Sequence, residues 1–359
     1  MMDEQTAGQL AHFIQEADRQ ALLTPEQLDI IYREKWFRLF VPRSQNGLEL
    51  SLPEGLRIEE TLAKIDGSLG WTVTLCSGAT QFTGYLPPSL TDTIFKDPAV
   101  CFGGSGALTG VAKETSDGYI INGSWKYATG APYCTHFTAN CTIEKDGQPL
   151  TDEIGAPVYR SFLFTREEVS VQKDWDTMGL RATASERFSV TDVWVPRERS
   201  FTIHPSAATL PGIVYQYPFL QFAEATLAVN SLGMALHFLE AVEKWMQPKL
   251  LQEGRLAASV NQVRQKWEQS GHYLQTLRSR FYTVVDDSWE HLSKQGTVPE
   301  ELLAKVSRQS RLLALFSRKM VATLYPYCGV NATQNGTELN QVFRDMFTAS
   351  QHLLLNAPV

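Results

Sequence analysis

Along the 359-residue chain the repeat of apolar and polar positions changes twice. From the N-terminus to about residue 97, apolar side chains recur every three or four positions, the spacing of helices with one buried face. Thr24-Pro25-Glu26-Gln27 predicts a helix start, with a hydroxyl cap, a proline where no amide is needed and a Gln at the capping-box position. Arg57 to Ala79 reads as one further helix, and Leu86-Pro87-Pro88-Ser89 interrupts the pattern. From about 98 to 200 the repeat drops to two: Phe162/Phe164, Val169/Val171, Phe188/Val190 and Val193/Val195 alternate with polar residues between turn clusters, which predicts strands. After Pro205, Pro211 and Pro218 the helical repeat returns over about 219–247, 257–293, 299–328 and 337–355. Thr297-Val298-Pro299-Glu300 predicts one of these starts through a second capping box. The expected fold class is α+β: an α-helical domain over 1–97, a β barrel or sandwich over 98–205 and a four-helix bundle over 206–359.

Residues 118–130 carry the strongest local signal. Asn122-Gly123 predicts a two-residue hairpin turn, because both positions tolerate positive φ and β-rich runs flank them. Strict alternation would then put Trp125, Tyr127 and Thr129 on one face, a platform for a flat ring.

Composition narrows the partners. Net charge is −7, with Lys and Arg scattered, so no electrostatic footprint for nucleic acid or an anionic membrane is present, and a small-molecule partner is expected. Cys76, Cys101, Cys134, Cys141 and Cys328 make an odd count without a CxxC pair, which argues against a disulfide framework and a structural zinc site. His12, His136, His204, His237, His272 and His291 show no paired ligand spacing, so no metal is expected. The acidic start and the lack of a long uninterrupted apolar run predict neither targeting nor a membrane span, and a cytoplasmic setting is the expectation.

Three ordered patches resemble the acyl-CoA dehydrogenase superfamily over nearly the whole chain. Cys101-Phe102-Gly103-Gly104-Ser105-Gly106-Ala107-Leu108-Thr109-Gly110 is similar to that family's first flavin-binding loop, with Phe102, Ser105 and Gly110 on its contact positions and Gly104 between them. Tyr127-Ala128-Thr129-Gly130 is similar to its Trp-Ile-Thr-Asn segment, in which the aromatic packs along the isoalloxazine and the hydroxyl bonds to flavin N5. Trp175 to Ser185, continuing through Val193-Trp194-Val195-Pro196, resembles the family's W…MGxRxTxS…dVxVP strand pair. The resemblance implies FAD or FMN and a homotetramer. The residues suit that chemistry, since a flavin needs an apolar wall for its ring, backbone amides for its pyrimidine edge and one donor at N5. No GxGxxG follows a strand and Gly103-Gly104-Ser105-Gly106 lacks the P-loop Lys, so neither a Rossmann fold nor a phosphate cradle is indicated.

Superfamily resemblance leaves the reaction open between dehydrogenase and monooxygenase. Dehydrogenases of the family use a Glu after an Arg-Asp pair near the C-terminus; here Arg344-Asp345 is followed by Leu353 at that position, with His352 beside it. "RD…His" resembles the reduced-flavin monooxygenases, which hydroxylate aromatic substrates with help from a separate reductase. His352 is then the expected acid/base, because imidazole titrates near neutrality. On a continuous helix it would lie away from the stripe Leu339, Val342, Phe343, Met346 and Phe347. Leu75 to Phe82 lacks the His many such hydroxylases carry, and Thr129 stands where they usually have Ser. Glu224, near a position where some dehydrogenases place their base, keeps oxidation of an acyl thioester as the alternative, and a catalytically weak flavin-binding member is a third. Arg181 could reach a cofactor phosphate or make a surface ion pair. The family's Arg-x-x-Phe-Gly motif finds no match around Lys249 to Arg255, leaving FAD and FMN open.

Overall fold

The computed structural model describes residues 2–250 and 255–356; Leu251 to Gly254, in the stretch searched for the adenine-half motif, lie outside the described residues. Six helices come first: α1 (Glu4–His12), α2 (Ile14–Gln20), α3 (Pro25–Arg33), α4 (Leu52–Ile65), α5 (Gly67–Thr80) and α6 (Pro88–Ile94). Both capping interactions at Thr24 form, so α3 starts as its sequence predicts. The single helix expected over 57–79 is instead two. Asp66 leaves the helical conformation (φ −155°) and its carboxylate caps the new start by accepting the Leu69 N–H at 2.7 Å. The capping preference of Asp defeats a continuous apolar repeat here.

Eight strands follow: β1 (Phe102–Glu114), β2 (Gly118–Ala128), β3 (His136–Lys145), β4 (Gln148–Pro149), β5 (Tyr159–Thr165), β6 (Ser170–Gln172), β7 (Glu186–Pro196) and β8 (Ser200–Phe201). They form one mixed sheet in the order β6-β7-β2-β1-β3-β5-β8, with β4 against β3 and only β1–β3 parallel. The hairpin that joins β1 to β2 turns at Thr115–Gly118, where the Thr115 N–H donates to the Gly118 carbonyl at 2.9 Å. Asn122-Gly123 is therefore no turn; both residues lie inside β2. The Asn122 side chain exchanges hydrogen bonds with Asp192, a positive-φ residue of β7. Gly123 lets the Trp125 ring cross the strand, since a Cβ there would lie 2.3 Å from that ring. Strict alternation also fails. Tyr127 takes φ +70° and the β2–β7 register shifts between Trp125 and Ala128, so Trp125 is fully buried, stacked on Phe188, while Tyr127 is 66 % exposed.

The C-terminal helices are α7 (Phe219–Leu250), α8 (Arg255–Gln295), α9 (Glu300–Leu324), α10 (Glu338–Ala349) and α11 (Leu353–Asn356). Within α7, Phe219–Lys249 is long and apolar enough to cross a membrane, yet 83 % of its most apolar window is buried inside the fold, so its apolarity serves the bundle core. At α9 the capping residue is Pro299 with no side-chain bond, so the capping box read at Thr297 does not form. The helix expected over 337–355 ends at Ala349 and resumes as one turn after His352.

Candidate active site

A cavity of about 270 Å³ opens between β1, the segment after β2, helices α5 and α7, and the turn before α11. Its sheet-side wall rests on an irregularity. Ser105 pairs with Ala139 and Leu108 with Asn140, so Gly106 and Ala107 bulge out of the β1–β3 ladder. Asn140 fastens the bulge, donating from Nδ2 to the Gly106 carbonyl at 3.0 Å while its Oδ1 accepts the Ser161 hydroxyl at 2.7 Å. Gly104, Ser105 and Thr129 line this wall.

Thr129 is buried and its hydroxyl belongs to a chain. Thr183 Oγ1 donates to the Leu180 carbonyl at 2.9 Å, Ser185 Oγ lies 2.8 Å from Thr183 Oγ1, and Thr129 Oγ1 lies 2.8 Å from Ser185 Oγ. With the Thr183 hydrogen committed to Leu180, Ser185 donates to Thr183 and Thr129 donates to Ser185, which gives each contact one hydrogen. Thr129 then presents only lone pairs to the cavity, as a hydrogen-bond acceptor and not as the donor expected from the sequence, because its hydrogen is taken by Ser185. A reduced flavin carries a hydrogen on N5, so the donor–acceptor chemistry of this wall fits the ring in its reduced form.

The loop that carries Thr183 and Ser185 is locked to the C-terminal helices. Asp345 accepts the Leu180 N–H, and Arg344 bridges Asp18 (2.7 Å) and the Met178 carbonyl. Gly179 sits so close to the backbone of Arg344 that a Cβ would lie 2.1 Å from its carbonyl. Burial, with Asp66 nearby, pushes the Asp345 carboxyl well above the usual range. Arg344-Asp345 and Met178-Gly179-Leu180 are thus two halves of one joint. Arg181 donates to the Asp18 carbonyl at 3.0 Å, neither a phosphate hold nor a surface ion pair.

The helical wall is aromatic: Phe82, Phe219 and Phe222 line it, with Phe219 stacked on Phe222 at 6.1 Å. Among the described residues its one ionisable side chain is His352. Because α10 stops at Ala349, the periodicity that turned His352 away from the interior no longer applies, and the ring points into the cavity, edge-on to Trp71 at 6.0 Å. His352 Nδ1 accepts the Leu354 N–H at 3.3 Å, so in the neutral ring the hydrogen sits on Nε2. Burial holds its pKa below the usual imidazole value.

Glu224 turns away from the cavity. It is 1 % exposed, and its Oε1 is 3.0 Å from both Nε and Nη2 of Arg311 on α9, while its helical neighbours Phe222, Ala223 and Thr226 line the cavity. Of the flavin contacts expected from the sequence, Gly104, Ser105 and Thr129 come together there with His352. Phe102, Gly110 and Tyr127 do not. Phe102 is buried against Phe95 at 6.1 Å, Gly110 makes room for Trp125, and Tyr127 faces outward beside Trp175. The sequence reading missed the roles of Ser185 and the three phenylalanines; Ser185 was visible only as part of a motif, and nothing in local spacing singles out the Phe residues. Cys76, Cys101 and Cys134 also converge, buried, with their sulfurs within 4.8 Å of one another, although no spacing joins them. Cys134 points its thiol at the Gly130 carbonyl (3.2 Å) and Cys76 at the Thr129 carbonyl (3.5 Å).

Comparison with known proteins agrees with this architecture. Residues 225–357 match the family model described as acyl-CoA dehydrogenase, C-terminal domain. The chain is 24 % identical to the indole-3-acetate monooxygenase of Acinetobacter baumannii over 95 % of its own length and 86 % of the relative's. It is 22 % identical to the flavin-dependent monooxygenase, oxygenase subunit HsaA, of Mycobacterium tuberculosis over 88 % and 81 %. The 3-HSA hydroxylase from Rhodococcus sp. RHA1 superimposes with a TM-score of 0.90 at 20 % identity, covering 98 % of this chain and 92 % of that one. XiaF from Streptomyces sp., solved in complex with FADH2 and glycerol, does so with 0.83 at 20 % identity, covering 98 % and 90 %. Helical, sheet and helical-bundle regions in this order, joined through the Arg344-Asp345 contact, give the chain the acyl-CoA dehydrogenase fold, and its residues 225–357 match that family's C-terminal domain.

Proposed function

We propose that the protein is the oxygenase of a two-component flavin-dependent monooxygenase, using reduced FAD or FMN and O2 to hydroxylate an aromatic or related small molecule. One observation carries the choice over a dehydrogenase: among the described residues, no carboxylate lines the cavity, and its one ionisable side chain is His352. Removing an α-proton from a thioester needs a base of the Glu type within hydrogen-bond reach, and Glu224 is committed to Arg311 behind the wall. The relatives named as monooxygenases, one of them an oxygenase subunit, support the same reading and with it a separate flavin reductase as partner.

When bound, the flavin supplies the activation of oxygen. The chain's own residues do the rest. Thr129, oriented by Ser185 and Thr183, would offer a lone pair to a reduced flavin held at this wall. His352 presents Nε2–H to the substrate side, and the aromatic wall of Phe82, Phe219 and Phe222 excludes water from the reaction. His352 acts as donor first, and passes a proton only when its ring exchanges tautomer or charge. A homotetramer and a cytoplasmic setting complete the proposal; sedimentation velocity and cell fractionation test them.

The test of the reaction supplies reduced FMN or FAD, 18O2 and a panel of phenols and indoles, and reads 18O in the product by mass spectrometry. Label in a hydroxylated product is the expected result. Bleaching of oxidised bound flavin by an acyl-CoA, without labelled product, would establish the dehydrogenase instead.

A further inference from the structure

We infer that the cavity selects an electrically neutral aromatic substrate and discriminates against its carboxylate derivatives; this rests on the monooxygenase reading above and specifies its substrate class. Among the described residues, no Arg or Lys lines the cavity to meet a carboxylate. The cations on the surrounding elements are committed elsewhere: Arg311 to Glu224, Arg344 to Asp18 and the Met178 carbonyl, Arg181 to the Asp18 carbonyl.

The polar side chains of the wall do not substitute for them, because none carries a positive charge and several turn a hydrogen back onto the protein. The Asn140 amide donates to Gly106, the Ser161 hydroxyl to Asn140, the Thr226 hydroxyl to the Ala223 carbonyl (3.0 Å) and the Thr129 hydroxyl to Ser185. Thr74 accepts from Asn230 at 2.7 Å. His352 offers one N–H from a ring whose charged form burial disfavours, enough to hold a phenolic or heteroaromatic atom and too little to pair a full negative charge. An ionised carboxylate placed among Phe82, Phe219 and Phe222 would lose its hydration without a counter-charge. The A. baumannii relative is named for indole-3-acetate, which carries such a carboxylate, so this chain and that protein part at the substrate.

The experiment measures dissociation constants of indole, indole-3-acetamide and indole-3-acetate for the full-length protein loaded with reduced FMN under nitrogen, by calorimetry. Acetamide and acetate have nearly the same shape and differ in charge. The expected order is indole and the acetamide binding alike, with the acetate weaker by about a hundredfold, two decades for one unpaired buried charge. Acetate within threefold of the acetamide overturns the inference. So does rejection of both side-chain-bearing ligands while indole binds, because size rather than charge would then select, and so does binding of none of the three. Separately, the expected affinity order without 18O in any product would overturn the monooxygenase reading and leave the charge selectivity standing.

Discussion

On the sheet side of the cavity, Gly104, Ser105 and Thr129 are held by backbone ladders and by hydroxyl and amide chains that close on the protein; on the helical side, Phe82, the α7 pair Phe219 and Phe222, and His352 come from three separate segments that meet through packing. The first wall is built for close backbone approach, with Gly104 seated where a Cβ would lie 2.2 Å from the Thr138 carbonyl. The second wall depends on side chains that distant segments bring together, so no local motif announces it. A flavin platform and a substrate lid thus obey different constraints within one cavity.

Five experiments probe this contrast. The two walls depend on the joint between the Met178–Leu180 loop and α10, so Gly179→Ala has the largest expected effect. A Cβ forced against the Arg344 backbone should cost about 5 kcal/mol or abolish soluble protein, read by denaturant titration. If stability fell by less than about 1 kcal/mol, the joint would not hold the walls together.

Behind the helical wall, Glu59 is fully buried, its Oε1 accepting from Ser77 at 3.4 Å and its Oε2 without a partner, and burial pushes its pKa up to about 8. A carboxyl raised in the folded state keeps its proton after the unfolded chain, with a pKa near 4.3, has lost its own. Stability is therefore full below about pH 4 and declines as pH rises toward 8, by roughly 5 kcal/mol from this group. Glu59→Gln should flatten that decline, and an unchanged slope would show that the carboxyl ionises freely.

His352→Ala should lower hydroxylated product by about a hundredfold while reduced-flavin affinity stays within twofold, separating the substrate wall from the flavin wall. Equal turnover would remove His352 from the chemistry. Thr129→Val mirrors it from the sheet side: reduced flavin should bind about tenfold more weakly, the size of one lost hydrogen bond in a buried site. Oxidised flavin, whose N5 has no hydrogen to give, should be affected less, and equal weakening of both forms would contradict the acceptor orientation. The smallest effect belongs to Glu224→Gln, with product formation within twofold because the side chain faces Arg311. A hundredfold loss would reinstate Glu224 as a base.

Legibility in the sequence follows the same divide. The Gly-rich stretch, Thr129 and the Met178–Ser185 run could be read because backbone demands repeat from protein to protein. The hairpin at Asn122-Gly123 was misread because a turn signal and a glycine that admits a crossing tryptophan look alike in one dimension. Phe102, Gly110 and Tyr127 carry the right letters, but the sheet's bulges and the positive φ at Tyr127 turn them into core or surface.

By itself the sequence determined the order of helical, sheet and helical-bundle regions and singled out Thr129, which lines the cavity, since local periodicity and short motifs record what the backbone needs. Only the tertiary structure decided which groups face the cavity. The stop of α10 at Ala349 brings His352 in, the ion pair with Arg311 takes Glu224 out, and the Thr183–Ser185 chain fixes which way the Thr129 hydroxyl points. Each depends on a partner far away in the chain, and spacing along a sequence carries no record of direction in space.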